Sequence, residues 1–110
     1  MQFLMLVCDD PTAEPFDPAR NNIEEWVEQA DAAGTRALGD RLAAAGEART
    51  VRVRGGRTTV TDGPFAEFSE MIAGFDILIC DTLDEAVELA AKHPMARFGQ
   101  LEVRPFYSWS

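Results

Sequence analysis

The chain has few of the residues that hold metals or act as nucleophiles. Its 110 residues include one histidine, His93, and two cysteines, Cys8 and Cys80. These three residues do not have the spacing of a zinc site, so we expect neither a metal nor an organic cofactor. Each cysteine lies within an apolar run, which favours a reduced, buried thiol over a disulfide.

Basic residues and long hydrophobic runs are also scarce. Ten basic against 19 acidic residues give a formal net charge of −9, which repels phosphate backbones and argues against a nucleic-acid partner. No apolar run approaches the ~20 residues of a membrane-spanning helix. The apolar start, Phe3 to Cys8, lacks the basic segment and cleavage site of a signal peptide. We therefore expect a cytoplasmic protein without a membrane partner.

Hydrophobic residues are present in the amount that a packed core needs. They make up 46% of the chain, and a length of 110 residues is that of one ordinary domain. We expect a single domain over residues 1–110.

The first half of the chain predicts a strand, a helix and a second strand. Phe3 to Cys8 is apolar at every position, as in a strand covered on both faces. Asn22 and Glu25 form a capping-box pair at the start of a helix with one apolar stripe. Thr35 to Leu42 reads as a short strand interrupted at its glycine, with a helical turn as the alternative.

The segment VRVRGGRTTV, from Val51 to Val60, predicts a hairpin around Gly55-Gly56. In that register the valines and Thr58 share one face, and three arginines share the other. The arginine face has two interpretations. It is either a solvated face that discourages edge pairing or a local anion site. The arginines are Arg52, Arg54 and Arg57.

The second half repeats the strand–helix–strand order. Ile72 to Cys80 predicts a strand, and Thr82 with Glu85 forms a second capping box. His93 precedes a proline and ends the helix, so we interpret this histidine as a structural stop. Phe98 to Arg104 predicts the last strand.

This order is the split βαβ pattern of an α+β, ferredoxin-like fold with an inserted β-hairpin. Right-handed crossovers place both helices on one face of the sheet. The first strand offers apolar side chains to both faces, so the other face also needs cover. We therefore expect a two-fold homodimer with its sheets packed face to face.

The corner TVTDGPFAEFSE holds the candidate site residues Asp62, Phe65, Glu67 and Glu70. Asp62 has two interpretations: an acid that starts a turn, or a pocket carboxylate whose pKa is raised by apolar surroundings. Glu67 and Glu70 are either solvated acids or carboxylates that share a ligand site with Asp62. Phe65 either packs or forms an apolar wall.

Four segments together resemble the DGPF-containing branch of the YCII-related (YciI-related) family: VRVRGGRTTVTDGPFAE, IAGFDIL, LDEAVELAAKHP and LEVRPF. The resemblance covers the chain from about Gly39 to Phe106 and the apolar first strand. It implies a dimeric α/β barrel of ferredoxin-like protomers with a cleft between them. In the founding branch a His–Asp pair is implied there. Related domains include a dehydrochlorinase of a chlorinated hydroxyquinol, and some members sit near extracytoplasmic-function sigma factors.

The chain departs from this family pattern at two places. No histidine occurs between Asn21 and Gly34, where the family's catalytic histidine is expected, and Phe68-Ser69 replaces the usual Thr-Lys. Two functions are therefore open. The first is a small-molecule-binding or lyase-like domain with its cleft in a homodimer and Asp62 as general acid/base. The alternative is a non-catalytic regulatory or protein-interaction module, linked to sigma-factor-type regulation.

Overall fold

The computed structural model describes residues 1–108, and the last two residues of the aromatic tail, Trp109 and Ser110, lie outside the described residues. The strands and helices, in chain order, are β1 (Gln2–Cys8), α1 (Ile23–Ala32), β2 (Arg36–Arg41), β3 (Arg49–Arg54), β4 (Arg57–Asp62), β5 (Ile72–Ile79), α2 (Leu83–Ala91), α3 (Met95–Phe98) and β6 (Gln100–Pro105). Short 3₁₀ turns occupy Pro18–Arg20, Ala45–Glu47 and Glu67–Met71. None of the helices described is long and apolar enough to cross a membrane.

Four strands form one antiparallel sheet in the order β2-β5-β1-β6. α1 connects β1 to β2, and α2 lies between β5 and β6 in the chain. The fold is therefore α+β, as predicted, and its strand order is consistent with the ferredoxin-like arrangement. The predicted packing of two such sheets into a barrel is a property of a dimer and stays a prediction.

The core lies between the sheet and the two longer helices. Alternate residues of β1, Phe3, Met5 and Val7, are buried on the helix-facing side of the sheet. Trp26 of α1 joins this core, and its indole Nε1 donates a hydrogen bond to the carbonyl oxygen of Leu89 at 2.9 Å. This bond ties α1 to α2, so both helices cover the same face of the sheet.

The other sheet face carries apolar side chains that residues 1–108 leave only partly buried. Leu4 pairs with Ile77 and Leu6 pairs with Phe75 across β1 and β5, and all four are only partly buried. Leu38 of β2 lies beside Ile77 and is exposed. We call these five residues the outer sheet face.

β3 and β4 form a separate two-stranded sheet, which we call the hairpin arm (Arg49–Asp62). Val51 lies opposite Val60, and the turn glycines, Gly55 and Gly56, have φ of 56° and 77°, a left-handed conformation that favours glycine. Every strand residue of the arm except Thr50 is exposed.

Three local predictions are corrected by the structure. Asn22 makes no side-chain cap to α1, and Asn21 Oδ1 instead accepts from the Ile23 amide at 3.2 Å. The Glu85 carboxylate accepts from the Asp81 amide, one residue before its predicted partner. Phe98 ends the short helix α3, so the last strand begins at Gln100. A four-residue helix is too short to show apolar periodicity, which explains why it was missed.

Candidate functional site

A cleft of about 720 Å³ opens beside the helix-facing side of β2 and β5. Its walls come from the start of α1, from α3 and from the loop after β1. The apolar part of the lining includes Val7, Phe16, Ile23, Val27, Met95 and Phe98. Its polar part includes Arg36, Asp76 and His93, together with Asp9, Asn21, Asp40 and Arg41. A cleft that combines an apolar wall with polar groups is typical of a small-molecule site.

Asp76 is the buried carboxylate of this cleft. It lies in β5, on the side of the sheet that faces the helices, and is only 7% exposed. Arg36 Nε donates to Asp76 Oδ1 at 2.7 Å, and Arg36 is itself fixed by the carbonyl of Gly39 at 2.9 Å and by Asp31 at 3.1 Å. Burial raises the pKa of Asp76, and the hydrogen bond from Arg36 works in the opposite direction.

Gly39 makes room for this carboxylate. It pairs with Asp76 across β2 and β5, and a Cβ at position 39 would overlap Asp76 Oδ1 and lie 2.7 Å from the carbonyl oxygen of Phe75. No other residue type fits this close approach without a shift of the strands. The glycine inside β2 therefore has a packing reason at the cleft.

His93 contributes a neutral imidazole. Its Nδ1 accepts from the Met95 amide at 3.0 Å, so the proton of the neutral ring resides on Nε2. The ring lies edge-on to Trp26 with centroids 4.7 Å apart and is 5% exposed. Burial lowers the pKa of His93 to about 4. Protonation of the ring would also place a proton on Nδ1, facing the Met95 N–H. This repulsion likewise lowers the pKa of His93.

Two polar atoms of the cleft are left for a ligand. Within the described residues, His93 Nε2 and Asp76 Oδ2 take part in none of the side-chain hydrogen bonds. Every fully buried side-chain nitrogen or oxygen in that part of the chain has a hydrogen-bond partner. Because these two atoms have none, they are accessible to solvent. Asp76 and His93 thus offer the cleft one carboxylate acceptor and one N–H donor, beside the exposed charged side chains of Asp9 and Arg41. No metal-binding group of three or more ligand side chains occurs in residues 1–108.

The aromatic side of the cleft is formed by Phe16 and Phe98. Their ring centroids are 5.3 Å apart in an edge-to-face arrangement. Glu14 lies near Arg97 at 3.5 Å and near Arg20 at 3.8 Å, and these exposed ion pairs join the loop to α3. The loop between β1 and α1 is therefore placed to present Phe16 to a ligand.

The residues of the DGPF corner lie elsewhere. Asp62 is at the base of the hairpin arm, its side chain is 88% exposed, and its Oδ1 lies 3.1 Å from Arg49 Nε. Phe65 and Phe68 are exposed and contact each other edge to face at 6.0 Å. Glu67 and Glu70 are exposed on the following 3₁₀ turn. The structure brings Phe65 and Phe68 together but places none of the predicted site residues in the cleft. Their roles remain predictions.

Sequence reasoning missed Arg36 and Asp76 and gave His93 only a structural role. One signal pointed to Asp76: it is a carboxylate inside the apolar run IAGFDILIC, at a position of the same parity as Gly74 and Leu78. An acid on the buried side of a strand needs a partner. Naming Arg36 as that partner requires the pairing of β2 with β5, which local patterns do not provide.

The chain is similar to known proteins in sequence and in fold. The chain is 43% identical over 67 residues to an uncharacterized protein of Rhizobium meliloti, and the match covers 59% of this chain and 54% of that protein. The match thus spans about half the length of this relative. The structure is similar to that of 5-chloro-2-hydroxyhydroquinone dehydrochlorinase (TftG) from Burkholderia phenoliruptrix, solved in complex with 2,5-dihydroxybenzoquinone. That similarity has a TM-score of 0.51 at 16% identity and covers 97% of this chain and 94% of the other, so it speaks for the fold alone.

The family itself is given by a model that spans the whole chain. The model of the YCII-related domain matches residues 1–110. The DGPF-containing branch within the family remains a prediction from the motif of Asp62 to Phe65. The chain belongs to the YCII-related family.

Proposed function

We propose that this domain binds a small organic molecule in the cleft beside Asp76. The observation that carries the proposal is the pairing of an accessible donor, His93 Nε2–H, with an accessible acceptor, Asp76 Oδ2, beside an apolar wall. Accessible polar atoms without a protein partner can hydrogen-bond a ligand in place of water. A ligand with an apolar body and polar groups at its edge fits this arrangement.

The ligand class that suits the cleft best is a small planar ring with hydroxyl or carbonyl groups. The rings of Phe16 and Phe98 offer faces and edges for such a body. A carbonyl oxygen would accept from His93, and a hydroxyl group would donate to Asp76. The dehydrochlorinase of similar fold was solved with 2,5-dihydroxybenzoquinone, which makes this compound a reasonable first probe.

Lyase-like chemistry is the finer form of this proposal. Burial raises the pKa of Asp76, and a carboxylate with a raised pKa is better suited to accept a proton from a bound hydroxyl group. Arg36 would position this carboxylate, and His93 would hold the oxygen on which charge develops. Asp62, proposed from its motif as a general acid/base, lies away from this cleft and would need a second protomer to reach a ligand.

A homodimer belongs to the same proposal. The outer sheet face carries Leu4, Leu6, Phe75 and Ile77 in one row of cross-strand pairs, and a contiguous apolar face of this kind marks an interaction surface. Packing two such faces about a two-fold axis covers both with one contact.

The test of the ligand site is a binding titration with matched variants. Calorimetry with 2,5-dihydroxybenzoquinone and a panel of hydroxylated aromatic compounds should find binding to the wild type. Asp76→Asn and His93→Asn should weaken it by about tenfold or more, the loss expected for one hydrogen bond to a buried group. Asp84→Asn, an exposed acid at the start of α2, is the control. Equal affinity in all four proteins would exclude this cleft as the site.

The alternative function is a non-catalytic regulatory or interaction module. It is favoured by the exposed pair Phe65 and Phe68 and by the histidine missing from α1. Mass spectrometry of a ligand incubated with the protein distinguishes the two functions. A ligand that binds and is recovered unchanged supports the module, and a converted ligand supports the lyase-like domain.

A further inference from the structure

The hairpin arm is the least compact part of the protomer. The radius of gyration over Cα atoms is 16.1 Å, whereas a compact chain of this length has about 13 Å. The arm pairs only with itself in a separate two-stranded sheet. At its base, the Gly63 amide donates to the carbonyl of Ala48 and Thr50 Oγ1 donates to the carbonyl of Gly63, both at 2.8 Å. These bonds close the base of the arm, and its strands form no ladder with the four-stranded sheet.

One face of the arm is apolar and has no contact that buries it. Val51, Val53 and Val60 lie on this face and are 62%, 58% and 58% exposed. An isolated two-stranded hairpin is marginally stable in water unless its apolar face packs against something. The arm of a single protomer therefore has a packing surface and no partner within residues 1–108.

The charge of the arm favours an acidic partner. Four arginines and one aspartate give the arm a formal charge of +3. Because the net charge of the whole chain is −9, the rest of the chain carries a charge of −12. Of its arginines, Arg49 pairs with Asp62, while Arg52, Arg54 and Arg57 form no ion pair with a described residue. A basic arm on an acidic body is complementary to a second copy of the same chain. Two basic arms, in contrast, repel each other.

We propose that the hairpin arm is a dimerisation arm: in a two-fold dimer, each arm lays its valine face on the body of the other protomer. The inference rests on the homodimer proposed above and adds a second contact to its outer sheet face. The arginines on the opposite side of the arm attract the acidic partner at long range and speed association. Two-fold symmetry makes the contact reciprocal, so the valine face of each arm is covered by the body of the other protomer.

The test is the dimer dissociation constant from sedimentation equilibrium. The double variant Val51→Ser/Val60→Ser should weaken the dimer by about tenfold or more, because it removes apolar area from both arms at once. Val87→Ser is the matched control, since Val87 is an α2 valine that is 50% exposed and lies outside the arm. The control should leave the dissociation constant unchanged.

A second set of variants tests the charge argument. Arg52→Glu/Arg54→Glu/Arg57→Glu should weaken the dimer by about tenfold or more at low salt, and the difference should shrink as salt screens the charges. The matching Arg→Lys variant keeps the charge and should dimerise as the wild type does. Circular dichroism checks that every variant keeps its fold.

Hydrogen exchange measures the protection of the arm in the wild-type protein, without substitutions. Amides of β3 and β4 that face solvent in the monomer should exchange more slowly as the protein concentration is raised through the dissociation constant. A wild type that stays monomeric would overturn both the homodimer and the arm. A dimer whose strength and arm exchange are insensitive to these changes would overturn the arm alone and leave the sheet-face dimer standing.

Discussion

His93 makes the stability of this protein sensitive to mild acid. Burial lowers its pKa from 6.5 to about 4, so the folded protein holds the ring neutral where the unfolded chain protonates it. The unfolded state therefore binds more protons below the unfolded pKa. Stability contributed by the neutral ring is full above that value and is lost as the pH falls towards the folded pKa.

The size of the effect follows from the same two pKa values. Lowering the pH from about 7 to about 5 should remove about 2 kcal/mol from the free energy of unfolding through His93 alone. A domain of this size has a total stability of about 5–15 kcal/mol, so this loss is measurable. Asp76 acts in the opposite direction, because its pKa is raised by burial and its protonation favours the folded state.

The assay is urea unfolding at both pH values for the wild type and His93→Asn. The asparagine Oδ1 takes the place of Nδ1 and keeps an acceptor for the Met95 amide, and it does not titrate. The variant loses ring packing on Trp26, so its stability is lower throughout. Its free energy of unfolding should nevertheless fall by about 2 kcal/mol less than that of the wild type between the two pH values. The contributions of the acidic groups that both proteins share cancel in this comparison. Equal losses would show that His93 is not held neutral.

Three further outcomes are expected. Gly39→Ala should destabilise the fold by about 1–3 kcal/mol because its Cβ meets backbone across the sheet, whereas Gly46→Ala, with open space around its Cβ, should cost little in thermal unfolding. Cys8 and Cys80 should react slowly with a thiol reagent, since burial and then nearby acids raise their pKa values; rapid labelling would contradict this. Asp62→Asn should shift the unfolding free energy by less than about 0.5 kcal/mol, because its ion pair is exposed.

The sequence predicts the elements whose pattern is local. β1 alternates between buried and half-buried residues from Phe3 to Cys8. α2 begins after its cap, Thr82, whose Oγ1 accepts from the Glu85 amide at 3.1 Å. Period and capping are read within about ten residues of the chain, so such elements need no tertiary information. The same logic favours a strand over a helical turn for Thr35 to Leu42, where β2 is found.

The candidate cleft was beyond local reasoning. Arg36 and Asp76 are 40 residues apart and meet only because β2 pairs with β5, with an irregularity in register between Arg36 and Leu38. The direction of His93 depends on α3, a helix too short to predict. A motif with unusual residues, DGPF, drew attention to a corner that the protomer leaves in solvent. The candidate cleft thus depends on contacts that sequence spacing does not encode.

Asp62 of the DGPF motif and the cleft are parts of one site only in the proposed dimer. Asp62 and Phe65 lie at the base of the hairpin arm and do not line the cleft of their own protomer. A proton-transfer role for Asp62 therefore requires the cleft of a second protomer. Asp62→Asn then separates two outcomes. Unchanged stability with about 100-fold lower turnover would assign Asp62 a proton-transfer role supplied across the dimer. Unchanged stability with unchanged binding and turnover would leave DGPF as the corner that sets the direction of the arm.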